Sequence, residues 1–372
     1  MKLTDTGLVK SESTTRNPRP TVPGTFMARI AYLNSFPAPN ALDIFARHPE
    51  HEIIRIDGDD PVERNVEILT RAHAYQCVGA RDEVPEALRV GAEFLARAPE
   101  LLVVSASGSG VDVFDLPACT AAGVLAVNQA GANAQSVAEH ALTMMITLQR
   151  HIGMADRALR AGWAGSRLEF MGADLGGKTI GIVGIGNIGT KLSHICGAGF
   201  GCKVLATDPY VEAQQIERRG AQAVEFDHLL THADLVSVHT PLTPQTRNLF
   251  DTNAFSRMKA GAIFINAARG SIHDEDALAD ALASGHLAGA GLDVWDSEPP
   301  AKSHRLLQMP NVVATPHVAG CTSDSLENMA EHAATQLLQI FAGKAAPRPV
   351  NPEVLPLFKK RFVEIFRESG RP

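Results

Sequence analysis

From Met27 onward the chain alternates short apolar runs with amphipathic stretches. The apolar runs read as strands buried on both faces: Ala28–Leu33, Glu52–Ile56, Tyr75–Val78, Leu101–Val104 and Val124–Val127. Between them, helical spacing of apolar residues predicts helices over Ala41–Arg47, Val62–Arg71 and Pro85–Ala98. The alternation resumes with strands at Thr179–Val183, Lys203–Thr207, Leu235–Val238, Ala262–Ile265, Ala288–Leu292 and Val312–Ala314, and a helix over Asp274–Ser284. Strands that alternate with helices predict parallel sheets covered on both faces.

Two longer helices stand apart from this rhythm. Ser136–His151 carries Val137, Ala141, Leu142, Met145 and Leu148 on one face and Ala and Met on the others, so it is expected to be buried, with Ser136 as its cap. Gly153–Trp163 follows as a shorter helix, and Glu327–Phe341 reads as a helix returning to the first unit. The expected organisation is therefore an insertion: residues 129–319 between 27–128 and 320–350. Residues 1–26 are polar and Pro-containing and read as a mobile tail. Residues 351–372, with a basic amphipathic stretch at Leu355–Ser369, read as an extension.

The chemical centre of this pattern follows its sixth apolar run. Thr179–Val183 leads into Gly184-x-Gly186-x-x-Gly189, and Asn187 and Ile188 open the next helix. The first glycine permits a tight turn. The second admits a pyrophosphate to the backbone, and the third lets helix and strand pack closely. Asp208 ends the next strand, 19 residues past Gly189, where a carboxylate reaches an adenosine ribose. Such a carboxylate accepts ribose hydroxyls and repels a 2′-phosphate. Pro209-Tyr210-Val211 offers no Arg against that repulsion, and Arg218 and Arg219 lie too far along the next helix to act as phosphate clamps. NAD is the expected cofactor.

Composition narrows the partners. The 372 residues carry a net charge of −7 without a long basic run, which argues against nucleic acid. No apolar stretch is long enough to span a membrane, and residues 1–25 lack the apolar core of a secretory signal. Five cysteines without metal-ligand spacing fit a reduced, cytoplasmic protein without a metal; Cys196 and Cys202 are expected to be packing residues.

In an open parallel sheet, ligands sit beyond the carboxyl ends of the strands. Those ends here deliver His239-Thr240-Pro241, Asn266-Ala267-Ala268-Arg269-Gly270, Asp293 with Glu298 beyond it, and Thr315-Pro316-His317. Arg269, Glu298 and His317 are the set that hydride transfer to a 2-oxo acid needs. A planar guanidinium holds the carboxylate and polarises the ketone. An imidazole passes the proton, and a carboxylate beside it favours its charged form.

These motifs resemble those of the D-isomer-specific 2-hydroxyacid dehydrogenases. The resemblance runs from about Met27 to about Pro352. It rests on Gly-Ile-Gly-Asn-Ile-Gly with Asp208-Pro209-Tyr210, His239-Thr-Pro241-Leu242-Thr243, Asn266-Ala-Ala-Arg269-Gly270, Asp293-Val-Trp-Asp-Ser-Glu298-Pro299 and Thr315-Pro316-His317-Val-Ala-Gly320. It implies that Arg269 binds substrate, that His317 is the acid/base with Glu298 as partner, and that Asp293 contacts the nicotinamide carboxamide. Gly184, Gly186, Asn187, Ile188, Gly189, Asp208, His239, Thr240, Pro241 and Ala267 are the further residues expected against the cofactor. The fold expected is α/β, two doubly wound parallel-sheet domains, with a Rossmann cofactor domain inserted in a flavodoxin-like substrate domain. A homodimer through the cofactor domain is implied, with Ser136–His151 as an interdomain and dimer element.

The substrate is expected at Ser105-Ala106-Ser107-Gly108-Ser109-Gly110, where Ser107, Gly108, Ser109 and Gly110 can cup a carboxylate with successive N–H groups. Phosphoglycerate dehydrogenases of the family carry basic residues near Ala106 and Gly79, and both charges are absent here; Arg81 is nearby. The reading is therefore an NAD-dependent oxidoreductase for a small D-2-hydroxy acid and its 2-oxo acid. A phosphoglycerate dehydrogenase-like enzyme of serine synthesis, or a non-catalytic NAD-sensing binding protein, are the alternatives. Formate fits poorly, because it has no 2-hydroxyl for a His–Glu pair to serve.

Overall fold

The computed structural model describes residues 27–79 and 81–369. The expected N-terminal tail lies outside the described residues. Five parallel strands form the first sheet: β1 Arg29–Leu33, β2 Glu52–Ile56, β3 Ala74–Val78, β4 Val103–Ser107 and β5 Leu125–Asn128, in the order β2-β1-β3-β4-β5. Helices α1 Asn40–Ala46, α2 Val62–Thr70, α3 Ala92–Arg97 and α4 Leu116–Ala121 connect them. The chain then crosses through α5 Ala134–Gln149 and α6 Ile152–Arg160.

Seven parallel strands form the second sheet: β6 Thr179–Val183, β7 Lys203–Thr207, β8 Gln222–Ala223, β9 Leu235–Val238, β10 Ala262–Asn266, β11 Leu287–Leu292 and β12 Val312–Ala314. Their order is β12-β11-β10-β9-β6-β7-β8, so the direction of winding reverses between β6 and β9. That reversal is the switch point at which such sheets bind ligands. Helices α7 Asn187–His194, α8 Ala213–Arg218, α9 Phe226–His232, α10 Thr252–Arg257 and α11 Glu275–Ala283 cover this sheet. α12 Ser323–Phe341 and α13 Leu355–Ser369 return to the first. Both sheets are the doubly wound α/β type that the strand–helix rhythm predicts.

The segment from Asn351 through α13 has a structural place. Phe358, Phe362 and Phe366 of α13 pack with Phe341 of α12 and with Ile30, Val103 and Leu125 of the first sheet in one apolar cluster. Asn351 ties this return to β5, accepting the Ala126 N–H at 2.8 Å and donating to the Val124 carbonyl at 3.0 Å.

Several local expectations need correction. The single helix over Pro85–Ala98 is a short 3-10 turn at Glu86–Leu88 and then α3. Val90 breaks it by donating to the Val113 carbonyl and accepting from Asp115. The fourth strand extends to Ser107, because Ser107 pairs with Val78. Ser136 does not cap α5; the helix starts at Ala134, and the Ser136 hydroxyl bonds the Thr322 hydroxyl at 2.8 Å. β8 is a two-residue edge strand that carries no apolar run to announce it. Among the described residues no helix is long and apolar enough to cross a membrane, and no group of three or more His, Cys, Asp or Glu is placed to hold a metal. All five cysteines are free, and four of them are buried.

Candidate active site

β6 ends at Val183 and turns through Gly184, whose φ of 91° favours glycine. A Cβ at Gly184 would stand 2.8 Å from the His239 carbonyl, and one at Gly189 would collide with the Gly184 carbonyl. Gly186 faces open space at the N-terminus of α7. Turn, close packing and an open helix end are thus separated among the three glycines. Asn187 and Ile188 form the first turn of α7, with the Asn187 amide beside Gly131.

Asp208 braces this loop: one carboxylate oxygen accepts the Ile185 N–H at 3.1 Å and the other the Tyr210 N–H at 3.0 Å. Arg219, set aside in the sequence as a phosphate clamp, does reach the glycine loop. It follows the last turn of α8, and its guanidinium donates to the Ile185 carbonyl at 2.6 Å. Across the switch point, burial pushes the His239 imidazole down to about 4, so it is neutral, and its Nε2 bonds the Ser237 hydroxyl at 2.9 Å. Thr240 holds a buried hydroxyl without a protein partner, and the Pro241 carbonyl accepts from Thr246. The space at Gly186, the free Thr240 hydroxyl and the Asp208 carboxylate suit a dinucleotide with unmodified ribose hydroxyls.

His317 and Glu298 meet: Nδ1 and Oε2 are 2.7 Å apart. The second Glu298 oxygen accepts the Trp295 N–H at 3.0 Å. This bond fixes a carboxylate that the sequence places in a Pro-rich loop. The hydrogen bond to Glu298 raises the His317 pKa above its ordinary value, against burial and the nearby Arg269 charge. Burial pushes the Glu298 carboxyl up, but its hydrogen bonds to His317 and Trp295 and the charges of His317 and Arg269 hold it below the usual value. One shift runs up and the other down, and both favour an imidazolium beside a carboxylate.

Asp293 acts from beneath. It is fully buried and accepts the Thr315 hydroxyl at 2.6 Å and the N–H groups of Val318 and Ala319 at 2.8 Å each. Its carbonyl accepts the His317 N–H at 2.7 Å. These bonds hold His317 at a φ of 55°, a conformation that costs a non-glycine residue energy. His140 of α5 reaches the Thr315 hydroxyl at 3.1 Å. Ala267 packs with Val137, Ala319 and Ile188, joining α5, α7 and the turns that carry Arg269 and His317.

Arg269 follows β10 in a turn held by Asn266, whose amide donates to the Arg269 carbonyl at 2.8 Å and accepts the Ala268 N–H at 2.9 Å. Its guanidinium donates to the Ala268 carbonyl at 2.7 Å and to Asp112 at 3.2 and 3.3 Å. A Cβ on Gly110 would collide with it. The 105–110 segment therefore does reach Arg269, although Ser105–Ser107 are strand rather than loop. Gly108 has a φ of 81°, the Ser107 hydroxyl accepts from Gln76 at 2.9 Å, and the Ser109 carbonyl accepts from Asn128 at 2.9 Å. Asp112, His140 and Gln76 escape sequence reading, because only the tertiary fold gives each of them its partner.

The fold and these strand ends define an α/β protein of the dinucleotide-binding type that carries an imidazole–carboxylate pair beside a guanidinium. A family model described as "D-isomer specific 2-hydroxyacid dehydrogenase, NAD binding domain" matches residues 142–319. The chain is 43% identical over 269 residues to D-3-phosphoglycerate dehydrogenase of Mycobacterium leprae, covering 72% of this chain and 50% of that one. It spans about half the length of the curated relatives it matches. The TT0316 protein of Thermus thermophilus superposes with a TM-score of 0.75 at 32% identity, covering 87% of this chain and 99% of that one. An NAD-dependent formate dehydrogenase from Staphylococcus aureus, solved with NAD, gives 0.71 at 30% identity, covering 85% and 96%. The chain belongs to the D-isomer-specific 2-hydroxyacid dehydrogenase family, and NAD is its cofactor.

Proposed function

We propose that the chain interconverts a D-2-hydroxy acid and its 2-oxo acid with NAD. The 2.7 Å contact of His317 with Glu298, within the field of Arg269, carries this reading. The bound nicotinamide supplies or accepts the hydride. Arg269 fixes the substrate carboxylate and draws charge from the carbonyl oxygen. In reduction, His317 gives its proton to that oxygen from the ring nitrogen opposite Glu298; in oxidation it takes the proton back. Glu298 sets the ring and stabilises its charged form. Formate leaves His317 without a proton to move.

Among 2-hydroxy acids, 3-phosphoglycerate is the leading candidate, because the curated relatives that the chain resembles carry that activity in their names. A smaller, unphosphorylated acid is the second reading. It is favoured by the uncharged 105–110 segment and by the Asp112 carboxylate beside Arg269, which together leave a phosphate few counter-charges. The test is NADH consumption with 3-phosphohydroxypyruvate, hydroxypyruvate, glyoxylate and pyruvate. A kcat/KM highest for 3-phosphohydroxypyruvate supports the first reading, and a preference for hydroxypyruvate or glyoxylate the second. No turnover of any of them, with NADH still bound, returns the chain to a binding role.

The same reading includes a homodimer through the cofactor domain. α5 is already buried against β10, β11 and α7, whereas α6 has no buried residue. Ile152 and Leu159 of α6, and Leu168 and Met171 shortly after it, are exposed apolar side chains of the kind an interface covers. Sedimentation of a Leu159→Glu/Met171→Glu double variant tests this: the dimer predicts a monomer for the variant, and an unchanged mass removes this face as the interface.

A further inference from the structure

The turn Trp295–Glu298 carries Glu298, which bonds His317, and packs against the residue next to Arg269. The Trp295 N–H holds the Glu298 carboxylate. The Trp295 indole donates to the Thr315 carbonyl at 3.1 Å, two residues before His317. Gly270, next to Arg269, lies so close that a Cβ on it would collide with the Trp295–Asp296 backbone. A displacement of this turn therefore moves Glu298 relative to His317.

A second carboxylate–imidazole pair grips the same turn from behind. Glu275, in the first turn of α11, accepts the Asp296 N–H at 3.0 Å with one oxygen. Its other oxygen is 2.9 Å from His304 Nε2. His304 Nδ1 accepts the Leu306 N–H at 3.3 Å, so the proton sits on Nε2 and is donated to Glu275. The imidazole lies edge-on to the Trp295 indole, with centroids 5.5 Å apart. Both groups of the pair are mostly shielded from water, so their bonds are little weakened by solvent competition.

We propose that Glu275, oriented by His304, is a positioning residue for the His317–Glu298 acid/base pair. It touches neither substrate nor cofactor. It fixes the Trp295–Asp296 peptide, and through it the distance between Glu298 and His317. This inference rests on the dehydrogenase reading for its kinetic readout but not for its structural one.

The test compares Glu275→Ala, Glu275→Gln and His304→Ala with the parent, using whichever of 3-phosphohydroxypyruvate, hydroxypyruvate or glyoxylate the parent reduces fastest. Glu275→Ala is expected to lower kcat about 10- to 100-fold, the scale of a misplacement near 1 Å. The KM for NADH should stay within about twofold, since the glycine loop is untouched. The alkaline limb of the kcat profile should move to lower pH, because a displaced Glu298 no longer supports the His317 proton. Glu275→Gln keeps an acceptor for Asp296 and should recover most of the loss; His304→Ala should fall between the two. A Glu275→Ala enzyme with kcat and pH limb unchanged overturns the proposal. The emission of Trp295 in a Trp163→Phe background gives a readout without turnover. A shift on Glu275→Ala in a protein that still melts cooperatively supports the anchor even if the parent reduces none of the acids. An unshifted spectrum overturns it, and a parent that reduces none of the acids overturns only the dehydrogenase reading.

Discussion

Arg269 already holds a carboxylate: its guanidinium reaches across from the second sheet to Asp112 of the first, at 3.2 and 3.3 Å on one carboxylate oxygen. On the proposed function, a substrate carboxylate would have to share or displace this partner. Both groups are partly exposed, so solvent weakens the pair and exchange is feasible. Asp112→Asn removes the competing charge and leaves a side chain of the same shape. The KM for the 2-oxo acid is expected to fall severalfold, with the KM for NADH unchanged. A KM that rises tenfold instead would show that Asp112 holds Arg269 in place rather than blocking it.

Arg269→Lys tests the geometry of the charge. The guanidinium uses separate nitrogens for the Ala268 carbonyl and for Asp112, and an ammonium on a flexible stem cannot keep both directions. A loss of kcat/KM of about 100-fold or more is expected, on the scale of removing one stabilising donor of a developing oxyanion. Turnover near that of the parent would take Arg269 out of substrate binding.

The raised pKa of His317 fixes the sign of the pH dependence. Reduction needs the imidazolium, so its rate falls as pH rises through a value above the ordinary 6.5 or so. Oxidation needs the neutral ring and gains rate over the same interval. The hydrogen bond that His317 donates to Glu298 is the largest cause of the shift, so Glu298→Gln should move both limbs to lower pH and reduce kcat. Rates in the two directions, measured from pH 5 to pH 10, check this. Limbs that stay in place in the Gln variant would mean that another group titrates.

The sequence announces those parts of the fold that repeat a local rule. β6 and β7 stand where the apolar runs place them, since a strand buried on both faces has nowhere to put a polar residue. Gly184 and Gly189 are readable because each meets a steric demand within one turn, and Gly186 because it leaves the helix end open. What stays hidden depends on residues distant in the chain. Val90 interrupts a helical pattern for a bond to Val113, and Arg219 returns to Ile185 from beyond α8. Asp112 finds Arg269 at a separation of 157 residues. Asp293 is visible as a strand-end acid, but its work beneath the His317 turn is not, because periodicity says nothing about which N–H a carboxylate meets.

Two glycine substitutions separate the roles of the two loops. A methyl group at Gly110 has nowhere to go except into the Arg269 guanidinium, the movable end of a long side chain. The protein should therefore fold while Arg269 is displaced. Gly110→Ala is expected to melt within a few degrees of the parent, to bind NADH normally and to lose kcat/KM for the 2-oxo acid by about 10- to 100-fold, the scale of a small misplacement at the reacting centre. At Gly186 the same methyl group meets open space in the protein, so stability should not change either. Its cost should fall on the cofactor, because it occupies the approach of a pyrophosphate to the N-terminus of α7. NADH affinity of Gly186→Ala, followed by fluorescence titration, should drop about tenfold or more. If Gly186→Ala binds NADH as the parent does, the pyrophosphate does not pass over this glycine.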